Sequence, residues 1–449
     1  MKKNNNSNPP FEGKLAYNSN SQKIQKTKSI AKTDVLNQIT SNGGEKSQLK
    51  KNIEKAKGKC IMDPSINREE QMDVDQVTCH FNCPFKDDII MEILCRLPVR
   101  YLVQFKCVSK LWNALISDPY FVNKHLNHAK NDPHAPKLLL CEISLKDFTT
   151  SIYSCPLSSV RLVDKLQKLD PPSSPETITC CTYNGLVVIS AFSQTIQQPI
   201  HMLWNPSTRE SILLPQPEFP RQNFYRLGLG YDSTSGDYKI LKIDINNPNE
   251  GSKVPGEILT LKSGSWRNID KFPHGLITWA SGFGSALALV NNAFHWICVS
   301  GDYYGVSRTF SLVSFSISNE VYSEIPLPEQ LSCIKGNIDI GISEVKEMLC
   351  AYCTYVPQQQ RTFKLWILKN YGGYESWNSL LSIVDHRLFR AIPKYWFADG
   401  DVLFWSSYFA AKPRYSFRTT SRGAIRLCDD NIRNGFVFTE SLISPKSLI

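Results

Sequence analysis

The sequence predicts a small all-α module followed by a larger all-β domain built as a β-propeller of five to six blades, with a disordered basic tail in front of both. Three observations lead there. Between Cys83 and Leu126 the apolar residues recur at helical spacing. From Lys137 onward they alternate, with proline or glycine every ten residues or so. The alternating part then falls into units of two hairpins that repeat at intervals of roughly 50 to 60 residues.

Of the 449 residues, 1–80 form the tail. The chain carries a formal charge of +10, and roughly nine of those charges lie between Met1 and Cys60, where lysines far outnumber acids. Asn, Ser, Gln and Lys dominate this stretch and Phe11 and Tyr17 are its only aromatics, so it reads as a solvated disordered arm. A basic arm of this kind can also bind nucleic acid or an acidic surface without sequence preference, which is the alternative reading. No apolar run approaches the roughly 20 residues of a membrane span, and MKKNNNSNPP is not a secretory signal. The expectation is a soluble cytoplasmic or nuclear protein with no membrane partner. Its 14 cysteines, scattered mostly singly through apolar strands, are expected to be reduced core residues.

The helical module spans 81–128. Ile89, Ile93, Leu94, Leu97, Leu102, Phe105, Val108, Leu111, Trp112 and Leu115 keep helical spacing, and Pro98 and Pro119 interrupt it. About 45 residues bury too little surface to stand alone, so part of this apolar character is expected to face another protein. The segment closely resembles an F-box, through Pro84, Asp88, Glu92-Ile93-Leu94, Arg96-Leu97-Pro98, Val108-Ser109-Lys110, Trp112, Pro119 and Phe121, with Cys83 where the family opens on leucine. The resemblance implies docking on a Skp-type adaptor of a cullin-RING ubiquitin ligase. Carried over by position, Pro84, Ile89, Ile93, Leu97, Pro98, Val99, Leu102, Val108 and Trp112 are the expected adaptor-binding residues, either in contact with the adaptor or shaping the surface that meets it. For Trp112 and Phe105, simple packing within a small helical domain is an equal reading.

Residues 129–136 are read as a linker and 137–449 as the β domain. The first hairpin of each unit turns at Asn184-Gly185, Ser233–Gly236, Asn291-Asn292, Lys346-Glu347 and Asp399-Gly400. Trp204, Leu261, Phe315, Trp366 and Leu427 serve as equivalent anchors in the second hairpins, the last of which is read as Ala424–Glu440. The spacing is that of a four-stranded blade of the kelch kind. A partial sixth unit, LLLCEISLKDFTTSIYSC, is placed to close the ring with the C-terminal strands, which would leave few unpaired edges. A large β-sandwich is the structural alternative.

The same region resembles the F-box-associated domain of a large plant family. The carrying residues are Asn184-Gly185-Leu186, Trp204-Asn205-Pro206-Ser207-Thr208-Arg209, Gly230-Tyr231-Asp232, Gly236-Asp237-Tyr238-Lys239, Ser265-Trp266-Arg267, Phe294-His295-Trp296, Ile325-Pro326-Leu327-Pro328 and Glu375-Ser376-Trp377. The resemblance implies that this domain recruits the target. In a propeller the connections between the two hairpins of each unit gather on one face: Ser193–Pro199, Asn246–Gly256, Gly301–Arg308, Pro357–Arg361 and Ala410–Arg422. Tyr303, Tyr304 and Arg308, and again Arg414, Tyr415, Phe417 and Arg418, combine aromatic area with fixed charge there, and are the expected substrate-binding residues.

No catalytic constellation, metal site or cofactor is expected. Cys350-Ala351-Tyr352-Cys353 is a lone CxxC in a strand, where positions three apart face opposite ways. Cys79-His80 with Cys83 makes an incomplete metal set, and Gly228-Leu229-Gly230 and Gly282-Phe283-Gly284 lack the lysine and helix of a phosphate loop. His295, between Phe294 and Trp296, reads as a packed histidine. A propeller enzyme of the galactose-oxidase type would need a central metal site that these residues do not supply. The expected function is therefore that of a non-catalytic substrate receptor, joining a Skp adaptor to an unidentified target protein for ubiquitination.

Overall fold

The computed structural model describes residues 87–449 apart from the stretches 144–148, 158–165, 173–176, 194–197, 218–224, 245–255, 270–275, 278–285, 301–308, 333, 335–337, 372–376, 386–390, 407–414, 421–422 and 427–431. The expected tail, 1–80, lies outside the described residues.

Four short helices come first: α1 (Asp87–Cys95), α2 (Val99–Phe105), α3 (Lys110–Ser117) and α4 (Pro119–Asn131). Each boundary has a local cause. Pro98 stands immediately before α2, where a fixed φ suits helix entry. The Ser109 hydroxyl accepts the Trp112 N–H at 3.1 Å, capping α3. Asp118 caps α4 by accepting the Tyr120 and Phe121 N–H groups at 2.8 and 3.3 Å, with Pro119 at the first helical position. Because α4 runs to Asn131, the first residues of the expected linker are helical.

The described residues of the β region form six sheets. Blade 1 is Thr177–Tyr183, Leu186–Ser193, Gln198–Asn205 and Glu210–Leu213 (β4–β7), and blade 2 is Tyr225–Asp232, Asp237–Asp244, Gly256–Thr260 and Ser265–Ile269 (β8–β11). Blade 3 is Leu276–Ile277, Ala288–Val290, Ala293–Ser300, Thr309–Ser316 and Tyr322–Ile325 (β12–β16). A one-turn helix, α5 (Glu329–Ser332), leads to blade 4: Ile338–Val345, Met348–Tyr355, Thr362–Leu368 and Trp377–Val384 (β17–β20). Blade 5 is Ala391–Trp396, Val402–Ser406, Tyr415–Thr420 and Gly423–Arg426 (β21–β24). The last sheet joins both ends of the domain, with Ile432–Phe438 (β25) paired to Lys137–Ile143 (β1), which carries Thr150–Pro156 (β2) and Gln167–Leu169 (β3).

These sheets close a ring, because the innermost strands β4, β8, β13, β17, β21 and β25 touch in that order and β25 returns to β4. Six apolar clusters fill the gaps between neighbouring blades. Alternation explains how one strand serves two gaps: in β1, Leu138 and Leu140 face blade 5 while Leu139 faces blade 1. The partial sixth unit thus closes the propeller, as the sequence implied. The hairpin expected at Ala424–Glu440 is replaced, since β24 pairs back with β23 and β25 crosses to β1.

The inner hairpins turn where the sequence placed them. Asn184-Gly185, Asn291-Asn292 and Lys346-Glu347 each put two consecutive residues at positive φ, the geometry that suits a tight hairpin. At Gly185 (φ 77°) a Cβ would also stand 2.5 Å from Ser441 Oγ, so the position tolerates no side chain on two counts.

The segment after β25 fastens the helices to the ring. Leu442 sits in the helical core with Leu94, Val99, Leu102, Ile116 and Phe121, while its neighbour Ile443 packs with Leu126 of α4 against the blade 1–blade 2 core. Asn205, fully buried at the end of β6, donates from Nδ2 to the carbonyls of Ser441 (3.0 Å) and Ile443 (2.8 Å). Its Oδ1 accepts the Ser207 and Thr208 N–H groups, which shapes the Asn-Pro-Ser-Thr-Arg turn.

Candidate functional site

Helix α1 presents Ile89 and Ile93, one turn apart, at 47 % and 58 % exposure, and Val108, just before α3, is 67 % exposed. Pro98 is exposed, and Leu97 and Trp112 are half-buried. Pro84 lies outside the described residues. Val99 and Leu102, at 1 % and 0 %, are buried in the helical core, so of the two expected roles only that of shaping the surface from beneath is open to them. Trp112 packs edge-on against Phe105 at 5.6 Å between ring centres, so its indole serves the hairpin as well as any outer surface. Leu111, Tyr101 and Tyr120 add exposed apolar area that the carry-over by position did not include.

Electrostatics fix this surface to its support. His125 of α4 is buried and its Nε2 meets the Leu97 carbonyl at 3.0 Å, which ties the turn between α1 and α2 to the last helix. Burial pushes the imidazole below its ordinary range, so it stays neutral there. Lys124 and Glu92 bridge α4 and α1 at 2.6 Å on the surface.

The expected substrate-binding residues fare unevenly. Tyr303, Tyr304, Arg308 and Arg414 lie outside the described residues. Tyr415, Phe417 and Arg418, expected in a loop, stand in strand β23, paired with β22 on one side, and Phe417 and Arg418 also with β24 on the other. The alternation in this stretch, placed by the sequence reading in the connection Ala410–Arg422, is the period-two signal of a strand. Strands β5, β9, β14, β18 and β22 run antiparallel to the innermost strands and therefore end at the side of the ring opposite the inner hairpin turns. The helical module packs at the turn end, where Lys130 Nζ lies 5.5 Å over the Tyr183 ring and Leu126 packs with Leu186.

At that same turn end the ring opens into a cavity of about 620 Å3, walled by residues of all six innermost strands and by Lys130 and Pro136. The inter-hairpin loops expected to hold the substrate contribute no described residue to this cavity, whereas the inner turns Asn184-Gly185, Asn291-Asn292 and Lys346-Glu347, read from the sequence only as turns, line it. Three lysines line it, Lys130, Lys346 and Lys394, with Glu344 and Glu347. Glu344 accepts the Glu347 N–H at 3.0 Å, and burial raises its carboxyl above the ordinary range.

The remaining motifs are structural. Cys350 packs in the core between blades 4 and 5 and Cys353 in that between blades 3 and 4, on opposite faces of β18, and burial pushes both thiols up to about 12. Gly228 and Gly230 let β8 approach blade 3, since a Cβ on either would stand 2.5 Å from Phe294 or Ile317. Gly282-Phe283-Gly284 and Cys79-His80 with Cys83 lie outside the described residues. His295 is buried, with Nε2 2.7 Å from the Tyr371 hydroxyl, and burial lowers its pKa to about 4. The described residues contain no group of three or more His, Cys, Asp or Glu placed to hold a metal, and no helix among them is long and apolar enough to cross a membrane.

Residues 138–417 match the family described as the F-box associated beta propeller domain, and residues 87–124 match the F-box domain. The F-box protein CPR1 of Arabidopsis thaliana is 27 % identical over 321 residues, which is 66 % of this chain and 72 % of that protein. An F-box/kelch-repeat protein of the same plant is 24 % identical over 378 residues, 80 % of this chain and 96 % of its relative. Among solved structures, a chain from a nidogen/laminin complex superposes with a TM-score of 0.39 at 8 % identity, over 68 % of this chain and 99 % of the other.

Proposed function

The chain belongs to the family of plant F-box proteins that carry a C-terminal F-box-associated β-propeller, and on that premise we propose that it is the substrate-recognition subunit of a Skp-cullin-F-box ubiquitin ligase. The observation that carries the reading is the contrast within the helical module. Its core closes around Leu94, Val99, Leu102, Ile116 and Phe121 together with Leu442 of the C-terminal segment, yet Ile89, Ile93 and Val108 remain in water. Apolar side chains left out of a finished core are the material of an interface, and a Skp-type adaptor is the partner that the family supplies.

The propeller then holds the target. Catalysis belongs to the RING subunit and its conjugating enzyme, and this chain raises the effective concentration of target lysines beside them. The C-terminal strap supports this role, because a helical module fixed to the ring presents a bound target in one orientation. The cytoplasm or nucleus is the proposed place of action.

Affinity purification under proteasome inhibition tests the reading. Intact chain should co-purify a Skp-type adaptor, a cullin and ubiquitinated proteins. A variant carrying Ile93→Asp should retain the target proteins and lose the ligase subunits; equal recovery of those subunits by both forms would remove the proposal.

A further inference from the structure

The cavity at the turn end of the ring has a cation placed in it by a specific backbone feature. Along the innermost strand of blade 5, Pro393 pairs with Phe404 and Tyr395 with Leu403, so Lys394 is the extra residue of a β-bulge. A bulge of this kind re-aims one side chain out of the pleat. Here it adds Lys394 to the cavity wall, with Nζ 5.0 Å from the centre of the Phe436 ring on the neighbouring innermost strand.

The ammonium has no carboxylate partner among the described residues, and burial alone lowers it to about 8. Of the two carboxylates that line the cavity among the described residues, Glu344 already accepts the Glu347 N–H, and the charges of both act on Lys130. The third amine, Lys346, lies over the Trp396 ring at 4.7 Å. Each amine thus rests on an aromatic face, a contact that leaves N–H groups free to donate. A sheltered amine without a counter-charge is costly, and an arriving oxyanion would relieve that cost. The volume, about 620 Å3, lies within the range of small-ligand sites.

We propose that the turn-end cavity of the propeller is an anion-binding site in which Lys394, set by the bulge and backed by Phe436, anchors a phosphate or carboxylate group. The oxyanion comes either as a free small molecule or as an acidic or phosphorylated side chain of a bound polypeptide. Receptor function is not assumed by the geometry; it bears only on which of these two sources applies.

Competitive acylation of the full chain at pH 8, read residue by residue by mass spectrometry, tests the site without relying on a variant that folds. The neutral amine is the nucleophile, so an anion that stabilises the ammonium slows labelling. Inorganic phosphate, citrate, and peptides bearing phosphoserine or aspartate are the probes. Labelling of Lys394 should slow about tenfold under saturating probe, while the exposed Lys262 keeps its rate. Protection by peptides at concentrations where phosphate and citrate do nothing assigns the site to a polypeptide; equal protection by the free anions assigns it to a small molecule. An unchanged Lys394 rate with every probe overturns the proposal. Adaptor capture by the same preparation separates this from the receptor reading: a wild-type chain that captures adaptor while Lys394 labelling is unchanged overturns the anion site alone.

Discussion

Asn205 and Ile443, 238 residues apart in sequence, are joined by a 2.8 Å hydrogen bond from the Asn205 side-chain amide to the Ile443 carbonyl. Both ends matter to the same joint. Asn205 closes the third strand of blade 1, and the residue before Ile443 is the leucine that completes the core of the helical module. Side-chain and backbone groups of the ring therefore hold the helices by way of the C-terminal segment.

Asn205→Ala should cost about 1–3 kcal/mol, because it leaves the buried carbonyls of Ser441 and Ile443 without that donor. Leu442→Ala should cost about 2–5 kcal/mol through the cavity it opens among the helices. Thermal unfolding reads the loss. Hydrogen exchange should quicken in α1–α4 of the leucine variant well before it quickens in the blades; uniform quickening would show that the strap does not act on the helices in particular.

A second device repeats around the ring. Trp266 Nε1 donates to the Pro215 carbonyl at 2.8 Å, and Trp377 Nε1 donates to the Pro326 carbonyl at 2.7 Å. Each indole stands in the outermost strand of one blade and reaches the proline that follows the outermost strand of the blade before it. Trp266→Phe and Trp377→Phe should each lower stability by about 1 kcal/mol. The two sites share no partner, so the double variant should lose the sum within about 0.5 kcal/mol in denaturant unfolding; a single variant that loses nothing would show the bond to be incidental.

Mild acid should weaken the fold through two histidines. His201 and His295 are buried against Tyr225 and Tyr371, and burial lowers each to about 4. Unfolded, both titrate near 6.5, so between about pH 6.5 and 4 the unfolded chain binds more protons. Their contribution is complete above pH 6.5 and is lost as pH falls towards 4, up to about 3 kcal/mol for each. His295→Gln should flatten the slope of stability against pH in that window, and an unaltered slope would contradict the assignment.

Much of the ring was legible because its signals are local. Two-residue turns, period-two alternation and the regular return of Trp204, Phe315 and Trp366 all lie within one hairpin or one blade, and each of those anchors stands in the strand next to the outermost of its blade. The opposite facing of Cys350 and Cys353 follows from the same period. What escaped depends on distant partners. Leu442 follows the last strand in a run with no periodicity, and only the folded helices 330 or so residues earlier give it a place. Lys394 enters the cavity through a bulge, whose trace in the sequence is the adjacent Pro393, a residue that strands admit at edges and bulges; that alone does not say where the extra side chain is aimed. The misreading at Ala424–Glu440 has a topological cause, since a strand that closes a ring pairs with the start of the domain rather than with its predecessor. At the adaptor surface the helical period could show which positions are apolar, but Val99 and Leu102 were assigned inward only by packing against Ile116, Phe121 and Leu442.

The direct test of the central claim is the dissociation constant between the purified chain and a purified Skp-type adaptor, measured at ordinary salt and micromolar concentrations, for wild type and for Ile93→Asp. An exposed isoleucine replaced by a carboxylate leaves the free protein folded, yet desolvating that charge in the complex costs several kcal/mol, on the order of 2–5. Wild type should bind at micromolar affinity or tighter and the variant at least about thirtyfold more weakly, with unchanged melting temperature. Equal affinities, or no binding by wild type, would contradict the assignment of the helical surface to an adaptor.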